Sequence, residues 1–158
     1  RGYSKPLNAG IASGVINLEI EGTIMPDILT GLSGADLFYA TPGDTIKYYF
    51  LSDSQLHAYD HIINFAIDAN CIDASMAVSK ANVRQLDRVS ALNQKEISRV
   101  LTNATFKANH AATFTFGTSR SSRTFVALND NRAGFDANCD ALIEITGYSG
   151  NLANLEIV

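Results

Sequence analysis

The sequence predicts a mainly β fold: a short degenerate β-roll capped by an antiparallel β-sheet with one helical hairpin. Three observations predict it. Glycines, aspartates and apolar residues recur at nine-residue intervals near the front of the chain, alternating apolar and polar stretches fill most of the remainder, and helical periodicity is confined to residues 79–101. A length of 158 residues fits a single domain, with 1–56 as the roll-like part and 57–158 as the capping part.

The nine-residue interval links Gly22 to Gly31, Asp27 to Asp36, and Ile20 to Leu29 to Phe38. In register, Gly22–Thr30 is "GTIMPDILT" and Gly31–Tyr39 is "GLSGADLFY". The second copy matches the calcium-binding nonapeptide G-G-x-G-x-D-x-U-x at Gly31, Gly34, Asp36 and Phe38, and the first at Gly22, Asp27 and Leu29. The register before them keeps Gly14 and Ile20 but has Leu18 at the aspartate position. Such a unit is a turn followed by a short strand whose large apolar residue enters the core. Glycine permits the positive φ angles of the turn. The carboxylate and the turn carbonyls offer oxygens to Ca²⁺, which takes ~6–8 of them. Two nonapeptides make one coil, so turns eighteen residues apart are expected to stack: Asp27 beside Asp44, and Asp36 near residue 54, next to Asp53. Asp27, Asp36, Asp44 and Asp53 are therefore candidate ligands, Asp60 is counted with them, and Ca²⁺ is the expected cofactor. The competing reading of the same residues is a Gly/Asp-rich turn without metal.

Beyond residue 45 the period is lost. "TIKYYFLS" is expected as a strand, as are Ile62–Phe65 and Cys71–Asp73. Ser79 is a plausible N-cap ahead of Val83 and Leu86, and Asn93 with Glu96 starts a second helix carrying Ile97, Val100 and Leu101. "AATFTFGTSRSSRTFVALND" predicts a hairpin around a polar loop, with one wet face. "DALIEITGYSG" and "NLEIV" close the chain as strands; so apolar a terminus frays unless it is paired.

"AYDHIINFAIDANCIDAS" resembles the segment that closes the β-roll in RTX proteins, with matches at Asp60, Ile62, Phe65, Ile72 and Asp73 and a departure at Asn64. From "VSALNQKEISRVLT" to the last residue the chain resembles the bluetail domain, found at the C-terminus of surface proteins of cyanobacteria. The resemblance implies an extracellular or cell-surface protein, exported by type I-like secretion machinery that reads the C-terminal region. It also implies folding set by calcium outside the cell, and it brings no established biochemical activity to carry over.

Other functions find less support. A net charge of −4 without a basic stripe argues against nucleic acid and anionic membranes. No apolar run approaches the ~20 residues of a membrane span, and no signal peptide is visible. Arg1 at the start points to a processed product or a fragment. Cys71 and Cys139 lack zinc-site spacing and are equally readable as buried thiols or a disulfide. Asp136, Asn138 and Asp140 begin like an EF-hand, but Ala141 and Gly147 stand where Gly and Glu are required. His57, His61 and His110 form no metalloprotease motif, and the "SRSSR" serines lack a nucleophile elbow. Arg120 and Arg123 at that loop are expected to be solvated. The chain is thus read as a non-enzymatic structural module. The rivals are a filament or sheath subunit assembling through edge strands, with residues 1–20 donated to the next copy, and an auxiliary domain of a longer secreted enzyme.

Overall fold

A computed structural model of the chain describes residues 3–8 and 16–158. The fold is mainly β. Along the chain come β1 (Tyr3–Asn8), β2 (Asn17–Glu21), β3 (Ile28–Leu29), β4 (Leu37–Tyr39), β5 (Thr45–Lys47), β6 (Asp60–Ile63), β7 (Cys71–Asp73) and β8 (Val83–Gln85). The helix α1 (Gln94–Val100) follows, then β9 (Ala111–Phe116), β10 (Arg123–Leu128) and β11 (Ala141–Glu144). The larger sheet has the order β1-β2-β4-β6-β11-β10-β9-β8, the smaller β3-β5-β7.

From β2 to β7 successive strands alternate between the two sheets, and within each sheet they pair in parallel. The chain therefore winds, each turn adding one strand to each sheet. Ile20 faces Phe38, eighteen residues on, and Leu29 faces Ile46, seventeen on. The step then widens: Phe38 faces Ile62 and Ile46 faces Ile72. The extra residues form a 3-10 turn at Leu51–Asp53 in place of the long strand expected for "TIKYYFLS". Buried Ser54 ties this insertion to β11, donating from Oγ to Leu142 O while its own carbonyl accepts from Leu142 N.

Between the sheets, the apolar residue of each strand packs on its counterpart one turn away. Leu29, Phe38, Ile46, Ile62, Ile72 and Ile143 are fully buried in this core. A second core covers the opposite face of the larger sheet, where Phe114 and Phe125 stack at 5.4 Å beneath Ile97, Leu101, Phe106 and Phe135. The β9–β10 hairpin forms as expected, Arg123 facing Phe116, but it has no wet face: α1 and its flanking loops cover that side. Small Ala111, Ala112 and Ala127 let layers approach from both sides.

Only one of the two expected helices forms. Asn93 caps α1, its Oδ1 accepting from Glu96 N at 2.9 Å, while the Glu96 carboxylate turns to Ser90 and Arg99. After Ser79 there is a 3-10 turn, then β8 on the edge of β9. The three-residue spacing of Val83, Leu86 and Val89 served a chain running along that edge: Leu86 N and Val89 N donate to Thr113 O and Thr115 O. The apolar terminus is paired internally. Ile72 N donates to Glu156 O, and Val158 N donates back to Ile72 O, so the tail extends the smaller sheet beyond β7. At the front, β1 pairs antiparallel with β2 of its own chain. The rest of the proposed donor segment, residues 1–2 and 9–15, lies outside the described residues.

Truncating a residue of the inter-sheet core removes contacts in both sheets at once. Phe38→Ala is expected to lose about 3–5 kcal/mol in urea unfolding, and exposed Met25→Ala to stay within about 0.5 kcal/mol of the parent.

Candidate functional site

The five candidate aspartates are all buried, and each carboxylate caps a turn. Where strands stop, backbone N–H groups lose their ladder partners, and buried donors need acceptors. Asp36 Oδ1 accepts from Leu18 N at 2.7 Å, one turn of the winding earlier; Asp60 Oδ1 accepts from Asp36 N at 2.8 Å; Asp44 Oδ1 accepts from Asp27 N at 2.9 Å. A local bond accompanies these. Asp27 Oδ2 accepts from Thr23 N and Asp53 Oδ2 from Tyr49 N, each four residues back, while Asp44 Oδ2 takes Thr41 N. The same four-residue closure recurs with Asn70 on Ala66 N and Asp140 on Asp136 N.

The stacking partners differ in part from expectation. Asp27 and Asp44 adjoin as expected, across a step of seventeen residues. Asp36 donates its N–H to Asp60 and not to Asp53: the inserted 3-10 turn lengthens that coil, and Asp53, near enough for its charge to act on Asp36, caps Tyr49 N and Phe50 N. Sequence reasoning passed over Asn70, Asp140 and Tyr48. The near-repeat "DANCID" and "DANCDA" does not signal the first two, since it aligns Asn70 with Asn138; what Asn70 and Asp140 share is their place directly before a strand, β7 and β11. Asp140, set aside with the EF-hand, accepts from Asp130 N and Asp136 N.

Glycine at the turns has a steric reason. A Cβ on Gly22 would lie 2.0 Å from Asp44 Oδ2, and one on Gly31 would lie 1.9 Å from Asp36 Oδ2. The carboxylates pass through the space a side chain would fill.

Two stacks behave differently as cation hosts. In the Asp27–Asp44 stack the Thr23 and Thr41 hydroxyls and three backbone N–H groups occupy Asp27 Oδ2 and both oxygens of Asp44. In the Asp36–Asp60 stack each carboxylate has one buried oxygen, Oδ2, that makes no close hydrogen bond, and the buried Tyr48 hydroxyl, which makes none either, lies near enough to Asp60 for the two to act on each other. Burial pushes Asp60 up to about 9, against the pull of the Asp36 N–H and reinforced by the Asp36 charge. Burial also pushes Asp36 up to about 6, opposed by the Leu18 N–H and helped by the charge of Asp53. Tyr48 rises well above its ordinary value for the same reason, with Asp60 adding to it. Among the described residues no group of three or more His, Cys, Asp or Glu is placed to hold a metal by side chains alone. Any Ca²⁺ here would take the free oxygens of Asp36 and Asp60 and draw the rest from backbone carbonyls; the Asp27–Asp44 stack, as hydrogen-bonded, does not fit it.

The remaining candidates are structural. Cys71 and Cys139 are free thiols, so the disulfide reading is corrected; Cys71 opens β7 in the smaller sheet, and Cys139 lies in the turn before β11 of the larger one. Arg123 is half-buried and engaged, not simply solvated: it forms a two-point ion pair with buried Glu144, donates to Tyr59 Oη, and lies over the Phe125 ring. No helix among the described residues is long and apolar enough to cross a membrane.

Gly22→Ala is expected to lower stability by roughly 1–3 kcal/mol by pushing Asp44 off the Thr41 N–H, which is then left without an acceptor. In thermal melts, Gly22→Ala combined with Asp44→Ala should lose less than the two single losses added together, because both act on one bond.

The chain matches no protein-family model and none of the curated proteins.

Proposed function

We propose that this chain is a non-enzymatic, calcium-responsive structural module of a secreted cell-surface or matrix protein. Its front is a short degenerate β-roll and its C-terminal part is a cap that also carries the export address. The observation that carries the calcium reading is the pair Asp36 and Asp60: buried, one coil apart, each with one oxygen on a backbone N–H and the other making no close hydrogen bond. The winding of β2–β7 into two parallel sheets supports the roll reading. The resemblance to RTX and bluetail sequences supports export.

Calcium, when bound, supplies the positive charge that two stacked carboxylates lack. Asp36 and Asp60 themselves provide the anchoring: each is held by a neighbouring N–H, so its free oxygen stays in place. Without calcium, a proton does the same work, and burial keeps one on Asp60 at neutral pH. Protons and calcium then compete for the same oxygens, and calcium affinity rises with pH.

Two outcomes follow. With a chelator present, stability should fall as pH rises from about 4, just above the value of 3.8 at which both carboxyls ionise in the unfolded chain, toward about 9, the folded value of Asp60. Asp60→Asn, which keeps a neutral side chain, should flatten most of that slope. Calcium should raise the melting temperature more at pH 8 than at pH 5; identical curves with calcium and with chelator at both pH values remove calcium from the account.

A further inference from the structure

We propose that copies of this chain associate head to tail, the outer edge of β3 and the apolar residues around it receiving the β8 end of a second copy. The surface is independent of the calcium reading. β3 ends the smaller sheet, and no described residue pairs with its outer side. Thr45 N donates to Asp27 O, so the Asp27 carbonyl faces β5; by strand alternation the N–H and C=O of Ile28 face away from the sheet. Ile28 is 68% exposed, and Ile24, Met25 and Leu32 are exposed beside it. An apolar, unpaired edge of this kind is a template for a further strand. The same sheet accepts one at its other edge, where Glu156–Val158 adds to β7 through bonds from Ile72 N, Ala74 N and Val158 N.

Charge selects the occupant. Leaving out the buried carboxylates, residues 16–79 carry four acids, Glu19, Glu21, Asp68 and Asp73, against Lys47, whereas 80–158 carry nine Lys and Arg against five acids. Glu19 and Glu21 lie on β2, in the coil that contains β3. At the far end of the larger sheet, β8 has no described strand paired on its outer side and presents exposed Arg84, with Lys80, Asp87 and Arg88 exposed around it. The molecule is electrically polar along the axis on which its strands stack, so the rear of one copy complements the front of another. Complementary charge of this kind orients encounter and rejects the front-to-front arrangement. A front-to-rear contact is heterologous, using different surfaces on the two copies, and propagates into chains.

Sedimentation velocity across a concentration series, at low and at high salt, tests this. The parent protein should grow in mean mass with concentration at low salt and shrink toward monomer at high salt. Ile28→Lys disables the front and Arg84→Glu the rear; both positions are exposed, and matching circular dichroism spectra establish that the fold is kept. Each variant alone should stay monomeric, and an equal mixture should yield a dimer and nothing longer, through the intact rear of the first and the intact front of the second. The proposal is overturned by a parent that stays monomeric throughout, by either variant associating like the parent, or by a mixture that sediments no faster than its components.

Discussion

A buried backbone N–H at a tight turn must find an acceptor, and in this protein an aspartate supplies it. Strands in the wound part are only two to five residues long, so turns make up much of each coil and many N–H groups lie beyond the sheet ladders. An unsatisfied buried donor costs about 1–3 kcal/mol, and several in series would leave the winding unstable. Asp36, Asp44 and Asp60 each reach to the coil in front, while Asp27 and Asp53 close their own turns. Aspartate spacing, glycine identity and coil length are thus one requirement: the carboxylate must reach the next turn, and the glycine must leave it room.

That solution places ionisable groups in a dry interior. Where threonine hydroxyls and N–H groups surround the carboxylates, as at Asp27 and Asp44, hydrogen bonds compensate their removal from water. Where they do not, as at Asp36 and Asp60 with Tyr48, the group holds a proton or needs a cation. The contrast separates two turn stacks that look alike in sequence.

The capping part gives the molecule direction. The larger sheet continues from β6 into β11 and the β9–β10 hairpin, and because it is packed on both faces it joins two cores into one body. The C-terminal tail closes the rear of the smaller sheet, and β1 closes the front of the larger one. Among the described residues, the front of the smaller sheet and the outer side of β8 stay unpaired, and they differ in polarity and charge.

Local chemistry, which a sequence carries in full, determined the short-range features: the nine-residue alternation of strand and turn, the burial of Leu29, Phe38, Ile62 and Ile72, the Asn93 cap, the β9–β10 hairpin and the adjacency of Asp27 and Asp44. Features that depend on distant segments were decided only in the folded chain. Ser54, held by Leu142 eighty-eight positions later, sets the length of the widened coil and so gives Asp36 the partner Asp60 in place of Asp53. β9 offers an edge that draws Val83–Gln85 into a strand where local spacing favoured a helix. Periodicity reports what a residue prefers beside its neighbours in sequence; which strand edge or carboxylate it meets depends on packing across the whole molecule.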